Sequence, residues 1–222
     1  MAKLSGLFDS FDNLDKIDVN AISAWLKNPP QIVQLENYLA NRILYPQTIP
    51  LTEYDMKIDL GILREVLKLN GPRSAGLSSN ALLGDNPFLN ITLRKILIPE
   101  RFLLFVPDLV TLTWVFVDAL LSERKKQDFF WDLWTIVLTD DIDEIVGSVI
   151  LPQFVDRNGE MDLSVLGKNY QIQPGGLMIV PCPKDRCEIS YKLKKGKILG
   201  KSENALEIFG GKLGLMIDGR VI

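Results

Sequence analysis

Residues 92–121 read TLRKILIPERFLLFVPDLVTLTWVFVDALL, and this stretch decides the fold class. Its first part, TLRKILI, is short and branched enough for a strand. From Pro107 to Leu121 the chain reads as an apolar helix with Pro107 in its first turn. The apolar run from Phe102 to Leu121 has the ~20-residue length of a membrane span. It contains Pro107, Asp108 and Asp118, so a buried core helix is the expectation. Further on, FFWDLWTIVLTD supplies a second buried strand at Trp134 to Leu138, and DDIDEIVGSVI is expected to form a short helix. Strand, helix, strand and helix in that order predict a small α/β layer.

Upstream the pattern is helical. Asp18 precedes VNAISAWLKN, where Val19, Ile22 and Leu26 recur at helical spacing until Pro29-Pro30. In IVQLENYLANRIL, Ile32, Leu35, Leu39 and Ile43 share a face up to the stop at Pro46. Thr52 with Asp55 three residues on is a capping-box pattern, and it opens a third helix with Ile58, Ile62, Val66 and Leu69 in line. Gly61 weakens that helix slightly. From Asn70 to Asn90 the chain is dense in Gly, Pro, Ser and Asn, as expected of a boundary loop.

Downstream of Pro152 the pattern alternates. Turn signals at Asn158-Gly159, Pro174-Gly175-Gly176, Lys195-Gly196 and Gly210-Gly211 separate short strands such as LMIVPC, CEISYKL, ALEIF and LGLMID. The expectation is α+β: a helical segment over 1–70, an α/β segment over 71–150 and a β-rich domain over 151–222, the last a small barrel or sandwich.

Composition excludes several classes of function. The 222 residues include no His, which removes the commonest acid/base group near neutral pH and the commonest metal ligand. With 25 basic and 28 acidic side chains, the net charge of −3 offers no broad positive field to phosphate backbones, so nucleic acid is not an expected partner. Acidic residues stand in MAKLSGLFDSFDNLDKID where a secretory signal needs an apolar core, so a cytoplasmic protein without a membrane span is expected. Cys182 and Cys187 are spaced as neither a C-x2-C redox pair nor a four-ligand zinc site, and are expected to be reduced, structural thiols.

Four features are candidate sites. Asp140, Asp141, Asp143 and Glu144 carry the oxygens that Mg2+ or Ca2+ takes, but lack an EF-hand frame and suit a helix start. Gly175-Gly176 and Gly210-Gly211 lack the surroundings of a phosphate loop and read as tight turns. The basic runs Arg124-Lys125-Lys126 and Lys192 to Lys197 fall at the ends of expected elements, where such residues solvate turns. Phe129, Phe130, Trp131 and Trp134 are too dense for an exposed strand and divide between core and partner-facing roles.

Three stretches together resemble the carboxy-terminal half of the MutL-type proteins associated with coenzyme-B12-dependent glutamate mutase, which are unrelated to the mismatch-repair protein. Trp25-Leu26 and then ENYLANRILYPQTIPLTEYDMKIDLGILREVL (36–67) resemble that family's YLANKxLxPxTIPxTxEDLxIEQALAREAL. Ile96 to Leu121 is similar to a strand, glycine turn and helix that carries a proline and ends in DAL, here Pro107 and Asp118-Ala119-Leu120. GGLMIVPCP and GGKLGLMIDGR resemble GELRVIPLP and the closing GGxLGLVIDARGRPL. The resemblance implies part of an actin-like ATPase lobe with an appended β domain. Members carry a DxGSTxTK phosphate segment and a second phosphate loop, and neither is in this chain. Their turn LIGSGGVLSHAP, whose paired glycines approach the nucleotide's adenosine, aligns on Pro107 with ILIPERFLLFVP. Glu100 and Arg101 thus take the glycine positions and Phe105 the His position, so Pro99, Glu100 and Arg101 form a degenerate nucleotide turn.

The resulting expectation is a non-catalytic binding or scaffold protein derived from such an ATPase, with no catalytic residues, cofactor or metal of its own. Its partner would be a protein, either a B12-dependent mutase or a polypeptide supplying the missing lobe. Two alternatives stay open. One is a fragment or subunit of an ATPase that assists such a mutase, and the other is an enzyme using Asp/Glu chemistry.

Overall fold

A computed structural model describes residues 8, 14–74, 94–121, 132–139 and 143–220. They fall into two compact units: a helical unit over 14–74 and 100–121, and a β unit over 94–99 and 132–220.

The helical unit is built from locally capped helices. Helix α1 (Val19–Trp25) starts where the Asp18 carboxylate accepts the Asn20 N–H at 2.9 Å. Helix α2 (Ile32–Leu44) buries Leu35 and Leu39, while Ile32 and Ile43 at its ends stay exposed. In α3 (Glu53–Ser74) the capping box forms in both directions. Asp55 N–H donates to Thr52 Oγ1, and Thr52 N–H to the Asp55 carboxylate, each at 3.0 Å. The helix continues past the boundary expected at Asn70 as far as Ser74, and residues 75–93 lie outside the described ones. Gly61 has a packing reason. A Cβ there would lie 3.0 Å from Ile22 Cγ2, so the missing side chain lets α1 settle on α3.

Helix α4 (Leu109–Leu121) is capped by Asp108, which accepts the Val110 and Thr111 N–H groups at 3.2 and 3.1 Å. Pro107 therefore precedes the cap and does not occupy the first turn. The helix buries Leu112, Val115, Phe116 and Val117 and packs along α3, where Arg64 pairs with Asp118. Among the described residues no helix is long and apolar enough to cross a membrane.

Among the described residues, nine strands make up the two main layers of the β unit. The first sheet has the order β1 (Arg94–Pro99), β2 (Leu133–Thr139), β3 (Glu144–Ile150), β11 (Gly214–Asp218), β7 (Leu177–Val180). Strand β1 runs parallel to β2 and β3 parallel to β11, while β2–β3 and β7–β11 are antiparallel. The second sheet is antiparallel throughout, in the order β10 (Glu203–Phe209), β8 (Arg186–Lys194), β5 (Glu160–Val165), β6 (Lys168–Ile172). A small pair, β4 (Gln153–Phe154) and β9 (Gly196–Lys197), stands beside them.

The two sheets share one apolar core. Leu133, Ile150, Val180, Leu215 and Ile217 from the first meet Met161, Leu163, Val165, Ile189, Tyr191 and Ile208 from the second. This is the sandwich alternative, and no barrel closes among the described residues. Strand β8 alternates strictly between buried and exposed, one face to the core and one to solvent.

The helix expected in DDIDEIVGSVI is a correction, since Glu144–Ile150 is strand β3. Ile145, Val146, Val149 and Ile150 are β-branched, and β2 offers them an antiparallel return. Gly147 settles the matter from the other side. A Cβ there would be 2.7 Å from the Gly214 carbonyl oxygen, so the bare backbone is what lets β11 pair with β3.

Candidate functional site

The turn after β1 carries Pro99, Glu100 and Arg101, the stretch singled out in the sequence. Pro99 ends β1, opposite Thr139 of β2, and Glu100–Leu104 form a single 3-10 turn. Glu100 and Arg101 are exposed, while Phe102 is buried with its ring centroid 5.9 Å from that of Phe116. The Arg101 guanidinium lies 5.4 Å from the Phe102 ring centroid. The N–H groups of Phe105 and Val106 both donate to the Phe102 carbonyl, at 3.1 and 2.9 Å. No residue from 94 to 121 is Gly, and none of the backbone there has positive φ. The local chemistry is therefore a closed, side-chain-covered turn whose last two amides are turned inward.

The glycine pairs contrast with it but are no freer. Gly175 has φ +87° and donates its N–H to the Gly219 carbonyl at 2.7 Å, while Gly176 donates to Gln173 at 3.0 Å. Gly210 donates to Asp185 at 3.1 Å and Gly211 to Cys182 at 2.8 Å. Anion binding on bare backbone needs N–H groups pointing outward. All four here are satisfied by carbonyls of the β unit.

The remaining sequence candidates separate. Asp140 and Asp141 lie outside the described residues. Asp143 and Glu144 are exposed, and Glu144 sits in β3 paired to Lys212 at 3.0 Å, so it does not serve a helix start. Among the described residues no three acidic, Cys or His groups cluster as metal ligands do. Lys192 pairs with Glu203 at 3.4 Å and Lys195 with Asp156 at 3.0 Å on the exposed end of β8 and its turn. Arg124 to Lys126 and Phe129 to Trp131 lie outside the described residues, and Trp134 is core. Cys182 and Cys187 are not the separate thiols expected. They are joined as a disulfide with Cα atoms 6.4 Å apart, because the loop between β7 and β8 folds back on itself.

Two features escaped sequence reasoning. The first is a buried charge cluster between α2 and α3. Arg42 Nε donates to Asp59 Oδ1 at 2.8 Å, Arg42 Nη2 to the Tyr38 hydroxyl at 2.7 Å, and the Tyr38 hydroxyl to Asp59 Oδ1 at 3.1 Å. Arg42 Nη1 also donates to the Thr48 carbonyl, tying down the connection between the helices. Burial outweighs the attraction of Arg42 and pushes Asp59 up to about 6, and burial together with Asp59 raises the Tyr38 hydroxyl. Every polar group of the trio is engaged inside the unit, which makes it a clamp for α2 on α3. The i, i+4 spacing of Tyr38 and Arg42 was the available signal.

The second is a groove of about 790 Å³ on the solvent face of the second sheet. Its floor is a cross-strand row, Ala205, Ser190, Ser164 and Asn169, whose short side chains leave the space. Glu203 and Asp162 stand in register on either side of Lys192. A cation between the two carboxylates is not the arrangement of an acid/base pair.

A comparison with protein-family models found no match to this chain, and neither did comparisons with curated proteins and with solved structures.

Proposed function

We propose that this chain is a non-catalytic binding or scaffold module related to the MutL-type proteins of the glutamate mutase system. In this reading it keeps part of an actin-like ATPase lobe without that lobe's nucleotide chemistry. The observation that carries the proposal is the turn after β1, where Glu100 and Arg101 occupy a 3-10 turn with no glycine and no positive φ. A nucleotide held against bare backbone has no counterpart there, because side chains stand where the backbone would have to be approached. Strands β1 and β2 are adjacent and parallel, as neighbouring strands of such a lobe are, and this supports the reading. The partners the resemblance implies are a B12-dependent mutase or a polypeptide that supplies the missing lobe.

The test is calorimetric titration of the full chain with ATP and Mg2+. No saturable heat at millimolar nucleotide is the expected outcome. A saturable isotherm with one site per chain would overturn the proposal and favour an ATPase fragment.

A further inference from the structure

Cys182 and Cys187 are the only cysteines of the chain. Each is 1% exposed and belongs to the core shared by the two sheets, yet Pro181, Pro183, Lys184, Asp185 and Arg186 around them are all exposed. The loop is thus a surface strap with two buried anchors. It also holds its neighbour: the Cys182 and Asp185 carbonyls accept the N–H groups of Gly211 and Gly210. The contact is tight, since a Cβ on Gly210 would come within 2.1 Å of the Cys182 oxygen and 2.2 Å of the Lys184 oxygen.

We propose that Cys182 and Cys187 form a dithiol–disulfide switch that sets how firmly the 181–187 loop grips the Gly210–Gly211 turn. Reduction removes the covalent tie between the two buried anchors, so the strap is then held by packing and hydrogen bonds alone and opens more often. Opening carries the Cys182 and Lys184 carbonyls with it. With Gly210 packed against both, the shift passes to the turn that leads from β10 into β11. The fold survives the change, because a ring closed over a sequence separation of 5 removes little chain entropy.

The co-reactant is a dithiol. Its thiolate attacks one sulfur, the S–S bond breaks, and the other cysteine leaves as a thiolate that takes up a proton. The dithiol's second sulfur then displaces the mixed disulfide. Two electrons and two protons pass to the protein, and the dithiol becomes a disulfide. Attack requires the strap to open briefly, as an exposed loop with few anchors does.

The experiment compares the full chain purified in air with the same chain after dithiothreitol. Each is alkylated with iodoacetamide for intact mass and followed by amide hydrogen exchange. The air-purified chain should take up no alkyl groups and the reduced chain two. Exchange at Gly210 and Gly211 should rise about tenfold or more on reduction, with β5 and β8 still protected, and revert on reoxidation. The doubly substituted Cys182→Ser, Cys187→Ser variant should exchange like the reduced chain whether or not dithiothreitol is present. Two alkyl groups on the air-purified chain would overturn the switch, as would identical exchange in the two forms. So would a loss of protection spread evenly over β5 and β8, which would make the bond a simple staple.

Discussion

In the helical unit, elements meet through side chains: Leu35 and Leu39 on α2, the Arg42–Asp59 clamp to α3, and Arg64 with Asp118 between α3 and α4. In the β unit, backbone meets backbone at several points. Gly147 lies against the Gly214 carbonyl, Gly210 against the loop carrying Cys182, and Gly214 itself has φ +68° close to the Val180 carbonyl. The difference bears on where an anion could meet bare backbone. The backbone-to-backbone contacts lie in the β unit, and there the glycine backbone is already consumed in joining strands. The helical unit begins its second stretch with a turn that has no bare backbone at all.

The most severe way to break this contrast is Gly210→Ala. Its new methyl meets two carbonyl oxygens that cannot rotate away, at 2.1 and 2.2 Å. A loss of about 4 kcal/mol is expected, read as the shift in urea unfolding. Gly167→Ala is the control: it has φ +78° but nothing within 4 Å, so only the backbone cost of about 1 kcal/mol applies. Equal losses at the two positions would show that close approach does not matter.

Arg42→Ala tests the opposite principle in the helical unit. Removing the cation leaves the Asp59 carboxylate buried without its partner, at an expected cost of about 3 kcal/mol at pH 7. The cost should shrink at pH 5, where Asp59 takes a proton. The sign in the parent chain follows from the same group. Its folded pKa of about 6 lies above the ordinary 3.8, so its contribution is fully present below 3.8 and is lost as pH rises through 6. Asp59→Asn should therefore flatten the decline in stability between pH 4 and pH 7, measured by urea unfolding across that range.

A smaller effect sharpens the role of turn chemistry. Leu166 holds φ 50° at the exposed β5–β6 turn beside Gly167, a conformation that Asn adopts at less cost. Leu166→Asn should stabilise the chain by about 0.5–1 kcal/mol, visible as a raised Tm.

What the sequence reveals is what is local. The Asp18 cap, the Thr52–Asp55 box and the strands after Gly176 and Gly211 depend on neighbours within a few residues, and the pattern shows them. Strand β3 was hidden because an acidic start looks like a helix opening, while its pairing with β2 and β11 comes from distant residues. The insertion of the last strand, β11, between β3 and β7 has no local signature. The Arg42–Asp59 clamp joins residues 17 apart on different helices, and charged residues in a helical stripe ordinarily read as solvated. For the candidate site, the identities of Pro99, Glu100 and Arg101 and the missing glycines were legible. The 3-10 turn they adopt, and the inward use of the Phe105 and Val106 amides, were not.

The most direct measurement is a nitrogen–proton NMR titration of the full chain with Mg2+ and ATP, following the amides of residues 100–106. These signals should stay in place at millimolar nucleotide, as should those of Gly175, Gly176, Gly210 and Gly211. Saturable shifts confined to 100–106 would mean that the turn after β1 receives a nucleotide, and would contradict the proposed function.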